Sequence, residues 1–234
     1  MGKSLNQLGY ELAELYRSTL KVTSDVDIRL FKEWVRQSRA QIIKQRLDTF
    51  NVIDNNITQD LGPVACYPVD SSSLVSVPSG KYMLRTTLPI PASINRKSNI
   101  GTFTRISGAD GLELNYNLVP MQRALISGNG RFNNNDVYVY LNGGYMYFIS
   151  KTNIHKLIKY INIVGVFVNP EDAYTFNVNN VATPWNDDMD FKVSESVVMD
   201  MQNMVVDKKF KLILTQVDDK LNNGTDDTVV TKIR

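Results

Sequence analysis

Alternation of aliphatic and aromatic side chains across residues 136–150 constrains the fold of this chain more than any other feature. The alternation breaks at Asn142-Gly143-Gly144, which is typical of a two-residue β-hairpin turn. Successive strand residues point to opposite faces, so a turn at Asn142-Gly143 and a turn at Gly143-Gly144 give the same two faces. The apolar face is Val137, Val139, Leu141, Met146 and Phe148, and the aromatic face is Tyr138, Tyr140, Tyr145 and Tyr147. Tyrosine pairs across strands stabilise a sheet. We expect this tyrosine face to be hydrated or covered by a partner.

Short segments separated by turn signals predict further strands in the middle of the chain. The signals include Pro-Ser-Gly at 78–80, Gly-Ala-Asp-Gly at 108–111 and Gly-Asn-Gly at 128–130. The predicted strands are Lys81–Leu88, Gly101–Ile106, Leu112–Leu118, Asp136–Leu141, Gly144–Ser150 and Ile161–Val168. We interpret 54–63 as a polar connection and 173–192 as irregular. The pattern predicts a central antiparallel sheet, sandwich-like in architecture.

Two amphipathic helices are predicted ahead of the sheet. Ser4 and Gln7 have the spacing of a capping box, which indicates a helix over residues 4–20. A longer helix is predicted over 25–50, with Ser24 or Asp25 as its N-cap. We expect the two helices to form an antiparallel hairpin.

A third amphipathic helix is predicted to begin at Ser194, and a short helix at 152–160. Beyond Asp218 the sequence is polar and acidic, which indicates an extended, loose or partner-ordered tail. The predicted fold class is therefore α+β. Its predicted segments are a helical hairpin at 1–53, a β-rich core at 54–192, and a helix with an acidic tail at 193–234, which packs on the core or on a neighbouring subunit.

Charge is unevenly distributed along the chain, although the formal net charge is only +2. Residues 61–170 hold 10 Lys and Arg against 4 Asp and Glu, whereas residues 171–234 hold 7 against 12. A basic middle and an acidic end suit a protein that docks on itself or on a partner. Unevenly charged solvated faces account for the same distribution equally well.

No catalytic, cofactor or metal site is predicted. Cys66 is the single cysteine and lies in an apolar run, so we interpret it as a core residue, and His155 is the single histidine, with no activated nucleophile near it in sequence. Asp187, Asp188 and Asp190 lack the pattern of a calcium loop and favour a solvated acidic loop. No apolar run reaches the length of about 18 residues that a membrane span requires. These observations do not favour an enzyme or a membrane protein.

Four cations follow one stripe of the second predicted helix: Arg29, Lys32, Arg36 and Arg39. Trp34 lies on the same helix, away from its main apolar line. Tryptophan and arginine are enriched at protein interfaces, so we favour a protein-contact surface here. A solvated face and a phosphate-binding face for DNA are the alternatives.

The order of these elements resembles the head-to-tail connector proteins of tailed phages, the adaptor or ring proteins that stack beneath the portal. The specific resemblance is to the virion ring proteins of crAss-like phages. It rests on Gly165-Val-Phe-Val-Asn-Pro170, on the helix from Ser194 and on the acidic, asparagine-containing run 218–227. The aromatic hairpin at 136–150 fits the same pattern.

The resemblance implies a structural protein without a cofactor, which assembles into a homo-oligomeric, dodecameric ring. Genome DNA would pass through its lumen without sequence-specific contacts. The portal and other connector or tail proteins would be its partners, and it would be made in the bacterial host cytoplasm and located in the virion. We further expect the basic middle of one subunit to meet the acidic end of the next, through Asp218, Asp219, Asp226 and Asp227.

Overall fold

The computed structural model of this chain describes residues 2–20, 26–50, 53–69, 77–96, 101–109, 115–127, 136–176 and 184–210. These residues confirm the predicted α+β class, because a pair of helices precedes a sheet and another helix follows it. The described helices are α1 (Leu5–Leu20), α2 (Ile28–Phe50), α3 (Met121–Ile126), α4 (Pro170–Tyr174) and α5 (Glu195–Val205), which continues into a π-helical turn at Val206–Phe210. The described strands are β1 (Gln59–Pro68), β2 (Tyr82–Thr86), β3 (Phe103–Gly108), β4 (Asn117–Leu118), β5 (Tyr138–Asn142), β6 (Tyr145–Ser150) and β7 (Tyr160–Gly165).

The chain divides into two compact units. Unit 1 comprises Met1–Ile43 and Asp187–Arg234, and unit 2 comprises Lys44–Asn186. Unit 1 thus joins the first helices to α5, although they lie far apart in sequence. The segments predicted at 1–53, 54–192 and 193–234 stay a prediction.

Local signals start the helices of unit 1. The capping box is confirmed, since Ser4 N donates to Gln7 Oε1 at 3.0 Å and Gln7 N donates to Ser4 Oγ at 3.2 Å. These bonds satisfy two backbone donors that the helix itself leaves free. At α2 the Asp27 carboxylate accepts from Arg29 N at 2.9 Å, and the helix begins at Ile28, later than predicted. The predicted caps Ser24 and Asp25 lie outside the described residues.

Aromatic rings pack the helices of unit 1 together. Tyr16 meets Phe31 edge-on with ring centroids 5.6 Å apart, and it meets Phe210 at 5.0 Å. Phe31 in turn meets Trp34 edge-on at 5.4 Å. Such edge-to-face pairs contribute roughly 0.5–1.5 kcal/mol beyond the area they bury. The cluster therefore joins α1 and α2 to the turn that follows α5.

The sheet of unit 2 has the strand order β3-β7-β1-β2-β6-β5-β4. β4 pairs with β5 in parallel, and the other neighbouring strands are antiparallel. The sheet curls, because Tyr116 N, just before β4, donates to Ile106 O of β3 at 2.7 Å. The two outermost described strands are thus brought close together. Curling in this way limits the exposure of unpaired strand edges.

The predicted hairpin and its two faces are confirmed, and one of the two turns left open by the sequence is formed. Asn142 pairs with Tyr145, so Gly143-Gly144 form the turn, with φ of 57° and 81°. Positive φ at both positions is what a type I′ turn requires, and glycine adopts it without steric cost. The apolar face joins the larger buried cluster of unit 2, and the tyrosine face joins the smaller one.

Four elements of unit 2 differ from the prediction. β1 occupies much of the segment interpreted as a polar connection, and its register shifts between Asp60 and Pro63. This irregularity accommodates a proline, which cannot donate to the ladder, within an inner strand. The short helices α3 and α4 were not predicted. Conversely, the predicted helix at 152–160 is wrong: residues 154–157 form only turns, which place Ile154 and Ile158 in the larger cluster.

Candidate subunit-contact surfaces

The predicted cation stripe of α2 is not one exposed surface. The Arg29 side chain is exposed, Lys32 and Arg36 are half-buried, and Arg39 is fully buried. A helix turns by about 100° per residue, so a stripe at positions i, i+3, i+7 and i+10 drifts around the helix. The drift carries its last member into the core. Of these four cations, Arg29 is the one whose side chain is exposed.

Asp187 forms ion pairs with Lys32 and Arg36, the two middle cations of the stripe. Lys32 Nζ lies 2.6 Å from Asp187 Oδ2, and Arg36 Nη2 lies 3.9 Å from Asp187 Oδ1. Arg36 Nη1 also lies 3.8 Å from Glu33 Oε2. The segment after Trp185 is thereby fastened to α2 within unit 1. This acidic group is what the sequence pattern of the stripe alone could not reveal, because it lies 155 residues from Lys32.

The other two acidic residues of this segment are also engaged. Asp188 accepts a hydrogen bond from Asn6 Nδ2, and Asp190 Oδ2 lies 2.9 Å from Lys192 Nζ. Within the described ranges no group of three or more potential metal-ligating side chains converges. The acidic segment therefore serves contacts inside unit 1.

Arg39 and Trp34 are committed to the interior of unit 1. The Nε and Nη2 groups of Arg39 donate to Lys192 O, each at 3.1 Å, and the guanidinium lies 5.7 Å from the Phe191 ring centroid. Hydrogen bonds from a charged donor are stronger than neutral ones, which offsets part of the cost of burying the charge. Trp34 is 8 % exposed and packs on Phe31. Arg39 is therefore not exposed for contact with a neighbour, whereas the small exposed part of Trp34 lines a groove on unit 1.

A groove of about 240 Å³ runs along unit 1 between α2 and the end of α5. Its lining is Trp34, Gln37, Ser38, Gln41, Met204, Val205, Lys208 and Lys209. Ser38 Oγ donates to Trp34 O at 2.7 Å, so the buried hydroxyl is already satisfied within α2. The inner surface is consequently apolar, and amide and ammonium groups form its rim. No local sequence pattern predicts this groove, because its two walls lie far apart along the chain.

The tyrosine face of unit 2 is mostly covered within the subunit. Tyr138, Tyr140 and Tyr147 are buried, and Tyr145 is half-buried. Their cluster contains Ala124 of α3, which packs on β5. The face predicted to be wet or partner-covered is therefore largely closed by a helix of the same chain.

Two tyrosine rings are stacked at the centre of this face. The rings of Tyr140 and Tyr147 are parallel within 8°, with centroids 5.1 Å apart. Tyr140 Oη donates to Met83 Sδ at 3.8 Å. Burial, and secondarily the neighbouring Tyr147, raise the pKa of Tyr140 to about 12. The phenol is thereby kept neutral over the ordinary pH range.

Arg85 forms an aromatic contact that was not predicted. Its guanidinium lies 4.8 Å from the Tyr67 ring centroid and 4.4 Å from that of Tyr145. Strand pairing creates this arrangement, because Arg85 of β2 stands opposite Tyr67 of β1 and Tyr147 of β6. Cation–π contacts of this kind contribute roughly 0.5–2 kcal/mol. The half-exposed end of the tyrosine face thus consists of aromatic rings and one cation, a composition typical of interface centres.

The single histidine and the single cysteine take part in packing within unit 2. His155 Nε2 lies 3.1 Å from Met83 O, and its ring meets Tyr82 edge-on at 5.3 Å. Burial raises the pKa of the Cys66 thiol to about 12, which opposes formation of a nucleophilic thiolate. Both groups pack against the sheet of unit 2.

Large apolar side chains are exposed on both units. Five of those described are between 62 % and 71 % exposed: Tyr10 and Met199 in unit 1, and Phe50, Ile126 and Leu157 in unit 2. Scattered apolar residues are common on protein surfaces. Their size nevertheless makes these five side chains the first candidates for a protein contact. The predicted contact residues Asp218, Asp219, Asp226 and Asp227 lie outside the described residues.

Comparison with known proteins gives a family match. The model of a protein family described as phage tail ring protein 2 matches residues 8–228. A search among curated proteins returns no match to this chain. Among the described residues, no helix combines the length and the hydrophobicity needed to cross a membrane.

Proposed function

This chain belongs to the phage tail ring protein 2 family, and from that premise we propose that it forms a ring in the head-to-tail connector of a crAss-like phage. Membership makes it a structural, ring-forming protein of the phage tail and hence of the virion. The proposal adds the position: between portal and tail, around the channel through which the genome passes. It also adds a dodecameric copy number and contacts with the portal and neighbouring tail proteins.

The extent of the family match carries this proposal. Residues 8–228 include all of unit 2 and most of unit 1. The likeness to ring proteins is therefore not confined to one small motif that unrelated proteins share. Both units belong to the ring-forming protein, and either can supply surface to a neighbouring subunit.

The exposed surface is consistent with such an assembly. A ring grows by heterologous contacts, in which one patch of a subunit meets a different patch of the next. Two different patches are available on the described surface. One consists of exposed apolar side chains such as Met199 and Leu157, and the other of the half-exposed Tyr67, Arg85 and Tyr145. The segregation of charge between residues 61–170 and 171–234 provides complementary signs.

A purely structural role, without catalysis, fits the same residues. The thiol of Cys66 is held neutral by burial, and His155 lies beside a backbone carbonyl oxygen. The alternative of a DNA-binding protein depends on a continuous cationic stripe along α2. The stripe is not continuous, because Asp187 forms an ion pair with Lys32 and because Arg39 is buried. Both observations favour the ring protein over the DNA-binding protein.

The proposal is tested by native mass spectrometry and negative-stain imaging of the purified chain, alone and with the portal protein. We expect a closed ring, and a complex in which ring and portal share one axis. A chain that stays monomeric in both samples would contradict the proposal. A monomer that binds DNA, with an affinity that falls steeply as salt rises, would favour the DNA-binding alternative.

A second experiment examines the acidic end. Truncation after Thr215 removes all four of the aspartates predicted to contact the next subunit. We expect ring formation to weaken and to lose its dependence on salt concentration. Rings that form equally well, with unchanged salt dependence, would show that the acidic end does not hold subunits together.

A further inference from the structure

The groove of unit 1 has the chemistry of a site for an acidic peptide with apolar flanks. Trp34, Met204 and Val205 offer apolar surface, and Lys208 and Lys209 stand at its rim. Lys208 is exposed and Lys209 is half-buried, so both ammonium groups are accessible to an acidic group of a bound peptide. Apolar contact would supply affinity, while the two ammonium groups would select carboxylates.

The opposite wall adds hydrogen-bonding groups. Gln37 and Gln41 lie one helical turn apart on α2, and both side chains are exposed. Residues at i and i+4 share one face of a helix, so the two amides line the same side of the groove. Gln37 Nε2 donates to Glu33 Oε1 at 3.1 Å, and its second N–H and its carbonyl oxygen can still meet a peptide backbone.

The chain itself contains a segment that complements this groove. Val217-Asp218-Asp219-Lys220-Leu221 places two carboxylates between two apolar side chains. The wider run 218–227 holds 4 Asp against 1 Lys, so its net charge is opposite to that of the rim. Val217 and Leu221 flank Asp218, Asp219 and Lys220, so this segment has a net charge of −1, opposite in sign to Lys208 and Lys209.

We infer that the groove of unit 1 binds residues 217–221 of a neighbouring copy of the chain. This rests on the proposed ring, and it assigns a receiving surface to the acidic end. A heterologous ring contact needs two different surfaces on every subunit, and the groove and the acidic end are such a pair. The eight residues that follow Phe210, up to and including Asp218, can span at most about 28 Å when fully extended.

Charge reversal on each side tests the pairing in the full-length chain. The groove variant carries Lys208→Glu and Lys209→Glu, and the tail variant carries Asp218→Lys and Asp219→Lys. Either variant alone places like charges together, and we expect the concentration at which rings form to rise by about tenfold or more. The chain with all four substitutions restores opposite charges and should assemble like the wild type. Far-ultraviolet circular dichroism verifies that every variant stays folded.

A mixture of the two variants separates a neighbour's tail from the subunit's own. If the contact is between copies, an equimolar mixture forms rings in which the variants alternate. Each wild-type tail then meets a wild-type groove, and each reversed tail meets a reversed groove. If the tail binds its own groove, the mixture assembles no better than either variant alone, and this result would overturn the inference.

A matched reversal elsewhere serves as the control. Lys156→Glu and Lys159→Glu change the same charge at two exposed residues of unit 2. The tail variant's substitutions should not rescue this pair. If the wild type forms rings and the groove and tail variants form them equally well, the inference is wrong but the proposed ring stands. Absence of wild-type rings would reject the proposed function itself, so the two failures are distinguishable.

Discussion

Unit 1 and unit 2 hold their segments together in different ways. In unit 1, charged and polar side chains take part inside the packing: Arg39 is fully buried on Lys192 O, and Lys32 is paired with Asp187. In unit 2, two apolar clusters lie on opposite faces of one curled sheet. Unit 2 therefore depends mainly on non-directional burial, whereas unit 1 adds a few directional contacts between distant segments to its own buried apolar and aromatic packing. Substitutions can test each half of that contrast separately, because the chain has 2 tryptophans, Trp34 in unit 1 and Trp185 in unit 2.

The largest effect is expected from the core of unit 2. Phe148 is fully buried in the larger cluster, and Phe148→Ala should lower the free energy of unfolding by about 3–5 kcal/mol through lost burial and a cavity. Urea unfolding followed by Trp185 fluorescence, in a Trp34→Phe background, measures this change. Phe50→Ala is the matched control, since Phe50 is 71 % exposed and should change stability by less than about 0.5 kcal/mol. Equal losses from the two substitutions would mean that burial does not dominate unit 2.

The second effect concerns the buried cation of unit 1. Arg39→Ala leaves Lys192 O without its two charged donors and removes the contact with Phe191, so we expect a loss of about 2–4 kcal/mol. Trp34 fluorescence in a Trp185→Phe background reports it. Arg29→Ala is the control from the same helix, because that side chain is exposed and should change little. Arg39→Met keeps most of the volume. A loss as large as that of Arg39→Ala would assign the effect to the hydrogen bonds, and recovery of wild-type stability would assign it to packing.

The third effect is a pH dependence confined to unit 2. The pKa of Tyr140 is about 12 in the folded chain, above its ordinary value near 10, so the folded state holds this proton more tightly than the unfolded state. The resulting stabilisation is complete below about pH 10 and is lost as pH rises toward 12, by up to about 2–3 kcal/mol. Cys66, whose pKa is also raised, contributes in the same direction, so Cys66→Ala is the reference chain. Tyr140→Phe in that reference should flatten the alkaline decline, and an identical decline in both chains would contradict this assignment.

Features that depend on neighbouring residues could be predicted from the sequence. The Ser4–Gln7 capping box, the Gly143-Gly144 turn and the two faces of the hairpin all follow from spacings of a few residues. Predictions were less accurate where a proline or a very short element broke the periodic pattern. β1 was missed because Pro63 interrupts it, although the register shift accommodates that residue.

The candidate contact surfaces were harder to predict, for a physical reason. The cation stripe was correctly placed on a helix, but its partner Asp187 is 155 residues away from Lys32, and no local pattern connects the two. The same holds for Arg85, which meets Tyr67 and Tyr145 only because three strands pair in one register. Sequence periodicity gives the face on which a side chain lies. It does not give what the rest of the chain places against that face.

The smallest expected effect distinguishes the ion pairs of unit 1 from one another. The Lys32 and Asp187 side chains are 15 % and 30 % exposed, whereas those of Lys3 and Glu11 are 40 % and 38 % exposed. Since water weakens the attraction between exposed charges, a double-mutant cycle with Lys32→Met and Asp187→Asn should give a coupling of about 0.5–1 kcal/mol, and one with Lys3→Met and Glu11→Gln a smaller value. Asp187→Asn should also cost more than Lys32→Met, because it removes the acidic partner of Arg36 as well. Both couplings should shrink as salt rises, while the loss in Phe148→Ala should not. If the coupling between Lys32 and Asp187 were zero at low salt, this ion pair would not be among the directional contacts that stabilise unit 1.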